Sequence, residues 1–184
     1  EKFAAGILYT LGAYAVTALI SCAVFEAVWH LGDIWNTNMS TQFYYIEVIG
    51  WKLPFVPWVS FTVCEYLGAT LGMGAVTVTV FYGLGYVAGL LTKNSFAGFL
   101  LIFVVLALNF EIGIMAGNNA DWGLYEAAMW SPVMLWWMQP LWFSDMGISA
   151  LLPWQECITA AGCLIGTVML LVLGFRYFYR RDFA

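Results

Sequence analysis

Four glutamates, Glu26, Glu65, Glu111 and Glu156, stand near the ends of long apolar runs. An ionisable group inside a membrane is expensive and invites a functional reading, whereas one at the headgroup level is simply wet. One outward carboxylate per run would give a negative mouth that draws in cationic or amphipathic molecules. Asn109, two positions before Glu111, would add a hydrogen-bonding group. All four glutamates lie within two turns of an expected run end, which favours the wet reading. His30 follows Glu26 by four residues, a spacing that puts both on one helix face and lets them pair. It is the chain's one histidine, too few for bis-histidine haem ligation or a histidine-rich metal site. No serine or cysteine has a second histidine to call on, and G-x-S-x-G is absent. G-x-x-x-x-G-K-[ST] is absent as well, so ATP is not bound here by that loop. The expectation is a chain that moves or anchors something, with no catalytic residues, no metal and no cofactor of its own.

Cys22, Cys64, Cys157 and Cys163 show no metal or redox spacing and read as small core residues. The stretch "MWSPVMLWWMQPLWF" is different in kind. Methionine and tryptophan adapt to varied apolar shapes, so it can line a pocket for an apolar ligand. Anchoring at the membrane interface would produce the same composition and is the favoured explanation.

Positioning these residues falls to an unusually apolar chain. Hydrophobic residues make up 63% of its 184 residues and charged ones 9%, with mean hydropathy +0.85. That is the balance of an all-α integral membrane protein, and ten tryptophans and ten tyrosines suit a chain with two interfaces to line. An acidic pI near 4.6 and six scattered cations exclude a nucleic-acid footprint. Four runs are long enough for the roughly 20 residues a crossing needs: Phe3–Trp29, Phe61–Leu91, Ser95–Ala116 and Cys157–Phe178. The second exceeds one crossing, so it should tilt or start at the interface. Glu1 is not an initiator methionine, and the first run is too long for a cleaved signal's apolar region, so the chain reads as processed or as a piece of a longer protein.

Cations orient the spans. Lys2 precedes the first, Lys93 sits in the tight turn between the second and third, and Arg176, Arg180 and Arg181 close the fourth, whereas Lys52 falls on the other side. Lysine and arginine are enriched on the cytoplasmic side, so both termini are expected there. Outside, Leu31–Ser60 should lie on the membrane surface, and it carries the sequon Asn38-Met39-Ser40. Between spans three and four, residues 121–153 are apolar, but Pro132, Pro140 and Pro153 cut them into pieces too short to cross. Ser131-Pro132 predicts an N-cap followed by proline at the first helical position. Short helices that dip into the outer leaflet and return are the expected result, with their backbone covered by protein or a wet cavity. Gly68/Gly72, Gly85/Gly89, Gly113/Gly117 and Gly162/Gly166 have the spacing that lets membrane helices approach closely or dimerise.

The run "LGMGAVTVTVFYGLGYVAGLLTKNSFAGFLLIFVVL", the Lys-Asn-Ser turn, the outer "SP" step and the ending "GFRYFYRRDFA" together resemble the C-terminal part of an ABC exporter permease with the type-2 membrane domain. The resemblance implies that the four spans match the third to sixth of six, with no counterpart here for the first two or for the interfacial helix that engages the ATPase. It implies broken re-entrant helices between the last two spans, which Pro132 and Pro140 fit. Phe178, Arg180, Arg181 and Asp182 would be the family's short tail. The implied function is a permease subunit that forms a substrate path with a second membrane domain, while a separate cytoplasmic ATP-binding subunit supplies the work. Glu65, Asn109 and Glu111 are then the candidates for lining the path. The alternative, from another class, is a structural or anchor subunit of a membrane oxidoreductase complex that holds quinone or lipid. An intramembrane enzyme is disfavoured by the lack of paired catalytic residues.

Overall fold

The computed structural model describes residues 1–30, 32, 34–39, 43–46, 51–54, 57–118, 122–137, 142–144 and 152–182. Four helices in it are long and apolar enough to cross a membrane: α1 (Lys2–Trp29), α2 (Val63–Thr92), α3 (Ser95–Asn118) and, last in the chain, α6 (Gln155–Asp182). Between α3 and α6 lie the short α4 (Trp122–Met129) and α5 (Pro132–Trp137). The chain is thus an α-helical membrane protein. The expected spans hold to within two residues except at the end of α6, which carries the Phe/Arg-rich tail as helix through to Asp182. Large apolar side chains stay open on the bundle's outside, among them Leu8, Phe96, Phe99 and Met169, which would be ruinous in water and is ordinary against lipid. The connection between α1 and α2 is not wholly irregular. Strands β1 (Phe43–Ile46) and β2 (Trp51–Pro54) pair antiparallel, with Tyr44 opposite Leu53 and Tyr45 opposite Lys52.

The start of α2 shows why this helix begins where it does. Thr62 and Glu65 form a capping box: Thr62 Oγ1 accepts the Glu65 N–H at 3.2 Å, and Glu65 Oε2 accepts the Thr62 N–H at 2.9 Å. The two N–H groups just inside, of Val63 and Cys64, donate to the Thr37 and Trp35 carbonyls. All the early donors of α2 are thereby met, as they must be near hydrocarbon. This is a job for the segment that holds Asn38 and Met39. Ser40, which completes the sequon, lies outside the described residues.

At its other end α2 closes in a left-handed Lys93 (φ 55°), and Asn94 Oδ1 accepts the Phe96 N–H at 2.9 Å to open α3. The chain turns back so tightly that α3 lies directly on α2. α2 is the hub: α6, α3 and α1 all pack on it, and its buried residues run from Met73 to Ala88. Two tyrosines fasten α1, which buries no residue of its own. Tyr14 lies over Gly74 and donates to the Leu71 carbonyl at 2.9 Å; Tyr82 lies over Gly6 and donates to the Phe3 carbonyl at 3.3 Å. With so little other contact, the α1 attachment should be sensitive to these bonds. Tyr14→Phe is expected to lower stability by about 1 kcal/mol, read as a lower melting temperature of the purified chain, with earlier proteolysis confined to α1.

The close approaches fall at Gly6, Gly74, Gly83 and Gly98, which corrects the expectation from glycine spacing. Gly68, Gly72, Gly85, Gly89, Gly162 and Gly166 have nothing within reach of an added Cβ, although the backbone of Gly89 is what Gly98 lies against. The side chains at 113 and 117 lie outside the described residues. Spacing alone cannot tell a glycine that faces a helix from one that faces lipid. The cysteine expectation holds only in part: Cys64 is exposed and Cys22 and Cys163 are partly covered, whereas Cys157, also partly covered, packs against the buried cluster.

Candidate functional site

Ser131 and Pro132 behave as their types require. The proline opens α5, and Ser131 Oγ accepts the Met134 N–H at 3.2 Å. The result is a six-residue helix whose Val133, Met134 and Leu135 are buried, followed by Trp136 and Trp137 on the other side. At six residues this helix is too short to cross a membrane. Its two tryptophans join Phe81 and Tyr82 of α2, Phe103 and Phe110 of α3, and Thr10 of α1 around an apolar cavity of about 630 Å³. Phe110 and Trp137 meet edge to face at 4.7 Å. The two threonines on the wall, Thr10 and Thr77, donate to their own helices at Gly6 and Met73. The cavity is therefore built for hydrocarbon, with little on its walls to greet a charge.

The opposite side of α5 is anchored. Trp142 Nε1 donates to the Leu135 carbonyl at 2.9 Å, Trp58 Nε1 to the Ser144 carbonyl at 2.9 Å, and the Trp58 N–H to the Phe143 carbonyl at 3.0 Å. Phe143 sits with φ 61°, and its N–H points to Glu156 Oε1 at 3.3 Å. Met73, Met129, Met134, Leu135, Trp142, Phe143 and Ala160 form the buried cluster beneath these bonds.

The sequence candidates are not one site. Glu65 is exposed and occupied by its cap. Glu26 is exposed and accepts the Trp35 indole N–H at 3.1 Å. Glu111 is exposed on α3. Glu156 departs from the wet headgroup reading: it is fully buried in the first turn of α6, where it receives Phe143. Glu156 thus adds no open carboxylate to those of Glu26, Glu65 and Glu111. His30 ends α1 in a left-handed conformation, its backbone N–H donating to the Glu26 carbonyl. Asn109 is half-buried next in sequence to the cavity-lining Phe110, and its Oδ1 is buried with no hydrogen-bond partner among the described residues. Sequence reasoning pointed to Trp136 and Trp137 as an apolar pocket or an interface belt; they line the cavity. What it missed were the walls from α2 and α3, whose all-round apolar sequence marks no inner face. No group of three or more His, Cys, Asp or Glu able to hold a metal occurs among the described residues.

At the far end of the bundle, Phe3 meets Tyr82 at 5.5 Å and Tyr86 at 5.0 Å, and Tyr86 meets Phe175 at 6.0 Å. These rings bring the start of α1 and the ends of α2 and α6 together. Lys2, Lys93 and Arg176, all exposed, therefore share one end of the molecule. Arg180 and Arg181 continue the same helix, with side chains outside the described residues. A recess of about 570 Å³ opens at this basic end between Gly85, Gly89, Lys93 and Phe178. No family model, curated protein or solved structure matches the chain.

Proposed function

We propose that the chain is the membrane-embedded permease part of an ATP-driven exporter of amphipathic molecules. The cavity between α1, α2, α3 and α5 would receive the apolar portion of the cargo. The observation that carries this reading is the broken return through α4 and α5, capped at Ser131 and laid against an apolar cavity among the spans. A helix that spans cannot also withdraw, whereas a short re-entrant piece held by a few hydrogen bonds can shift and change access to the cavity. In this reading the basic end is cytoplasmic, with both termini there. The recess at that end faces the side from which a separate ATP-binding subunit would act. A second permease domain, on another copy or another chain, completes the path.

The same cavity also suits the second reading, a quinone or lipid held by an anchor subunit of an oxidoreductase complex, because its aromatic walls fit a flat ring with a tail. Purification from native membranes under mild detergent separates the two. A co-purifying nucleotide-binding subunit supports the exporter. A redox subunit with bound chromophore would sink it.

Glu111 gives a narrower test. If it lines the path, Glu111→Gln reduces transport in reconstituted vesicles several-fold while the yield of folded protein stays level. Unchanged transport assigns Glu111 to the headgroup layer.

A further inference from the structure

The recess of about 570 Å³ at the basic end is built by three helices. Gly85, Tyr86, Gly89 and Leu90 come from α2, Ser95 opens α3 just past Lys93, and Phe178 comes from α6. Gly85, Gly89 and Lys93 are spaced by four, so they follow one another along a single face. Nothing lies within 4 Å of where a Cβ would stand on either glycine, so the space above the helix backbone is open there. At 1.5 Å per residue Lys93 lies about 12 Å farther along the axis than Gly85. An added Cβ at Gly174 would meet Val87 and Leu90, and this register brings Phe178, one turn on, to the level of Lys93. The recess is therefore graded. Towards the membrane interior it offers bare backbone, Tyr86 and Leu90; at its rim stand an ammonium, a hydroxyl and a ring.

Its walls are fixed by contacts already described. Gly98 lies against the backbone of Ala88 and Gly89 and holds the start of α3 close to α2. The turn itself is tied by Asn94 Oδ1, which accepts the Phe96 N–H at 2.9 Å, and by Thr92 Oγ1, which donates to the Asn94 carbonyl at 2.9 Å. Tyr86 is held between Phe3 and Phe175 at 5.0 and 6.0 Å. Charge decides what such a graded recess takes. By chain position this end carries Lys2, Lys93, Arg176, Arg180 and Arg181 against Glu1 and Asp182. A basic pocket between membrane helices at the headgroup level suits an anionic headgroup. A free phosphate would use the rim alone and leave the strip over Gly85 and Gly89 bare, whereas a lipid uses both.

We infer that the recess holds one anionic phospholipid of the leaflet this end faces, its phosphate at Lys93 and Ser95 and the start of one acyl chain laid over Gly85 and Gly89. Bound there, the lipid touches α2, α3 and α6 together and stabilises their packing. The site is separate from the apolar cavity at α5, whose walls share none of these residues. The inference stands whether or not the chain is a permease, because it uses only the basic end.

The full chain, delipidated in detergent, is titrated with phosphatidylglycerol or phosphatidylcholine of the same acyl chains. Native mass spectrometry counts the lipid adducts, and the melting temperature is followed in parallel. The first adduct should form at lower concentration with phosphatidylglycerol and should raise the melting temperature. Lys93→Gln should cut that preference about five-fold, the share of one cation near an anionic lipid. Lys2→Gln, exposed at the same end but outside the recess, should leave it nearly unchanged. Gly85→Leu has open space for its Cβ and should weaken the first adduct with both lipids. Gly85→Ala gives the same reading, smaller in size, should leucine disturb folding. Equal affinity of the parent chain for the two lipids overturns the inference, as does unchanged binding in the Gly85 variants. Equal losses from Lys2→Gln and Lys93→Gln also overturn it, because the preference then belongs to the field of the whole end. Glycerol phosphate separates the sources: if it raises the melting temperature as much as phosphatidylglycerol does, the occupant is a free phosphate and the lipid assignment falls.

Discussion

Gly98→Val is expected to unseat α3 from α2. A Cβ at this position would lie 2.8 Å from the Gly89 nitrogen and 3.0 Å from the Ala88 carbonyl carbon and the Gly89 Cα. These are backbone atoms of a facing helix, so no rotamer change can make room, and the helices must separate. Overpacking of this kind is expected to lower stability by about 1–3 kcal/mol, towards the upper end here because the contact is rigid on both sides. Two controls set the sign. Gly83→Ala would push on the Thr167 methyl, the end of a side chain, and should do less harm. Gly72→Ala has nothing within 4 Å and should be neutral or stabilising, since alanine in a helix is favoured over glycine by up to about 1 kcal/mol. Melting temperature and monodispersity of the three purified variants rank the contacts. A Gly98→Val protein that melts with the parent would show that α2 and α3 do not approach this closely.

That ranking was not legible in the sequence, and the reason is physical. The spans were, because a bilayer imposes a length and a composition that any run of about 20 residues must show. The Lys93–Asn94 turn and the Ser131-Pro132 start were legible too, since caps are local chemistry and read within four residues. Which glycine faces a helix depends on the rotation of each span, and spans that are apolar all round carry no stripe to reveal it. Glu156 shows the same limit. By position it belongs with Glu26 and Glu111 at a span end. Its burial comes from Phe143, thirteen residues earlier, folding back to donate to it. One signal was present and unused: Gln155, Thr159 and Thr167 recur on one face of an otherwise apolar helix, and a polar stripe in such a helix points inward.

Trp142→Ala should have the largest effect among substitutions around α5. Trp142 is 1% exposed and belongs to the buried cluster with Met129, Met134, Leu135 and Phe143. Truncating a buried tryptophan typically lowers stability by about 3–5 kcal/mol through lost contacts and the void left behind. Here it also strips the Leu135 carbonyl of its donor, at 2.9 Å, just where α5 has few other bonds to hold it. Trp142→Phe separates the two losses, for it keeps most of the ring's volume and forfeits the N–H, so about 1–3 kcal/mol is expected from the orphaned carbonyl. The damage should be local. The four spans satisfy their own backbone within each helix and have lipid on their outer faces, so far-UV circular dichroism should keep its helical signal in both variants. Amide exchange in α5 should rise steeply in Trp142→Ala and modestly in Trp142→Phe, because α5 loses a fastening while the spans do not. A general loss of helix would mean that the cluster around α5 is what holds α2 and α6 together, and unaltered α5 exchange would mean that the spans alone hold α5 in place.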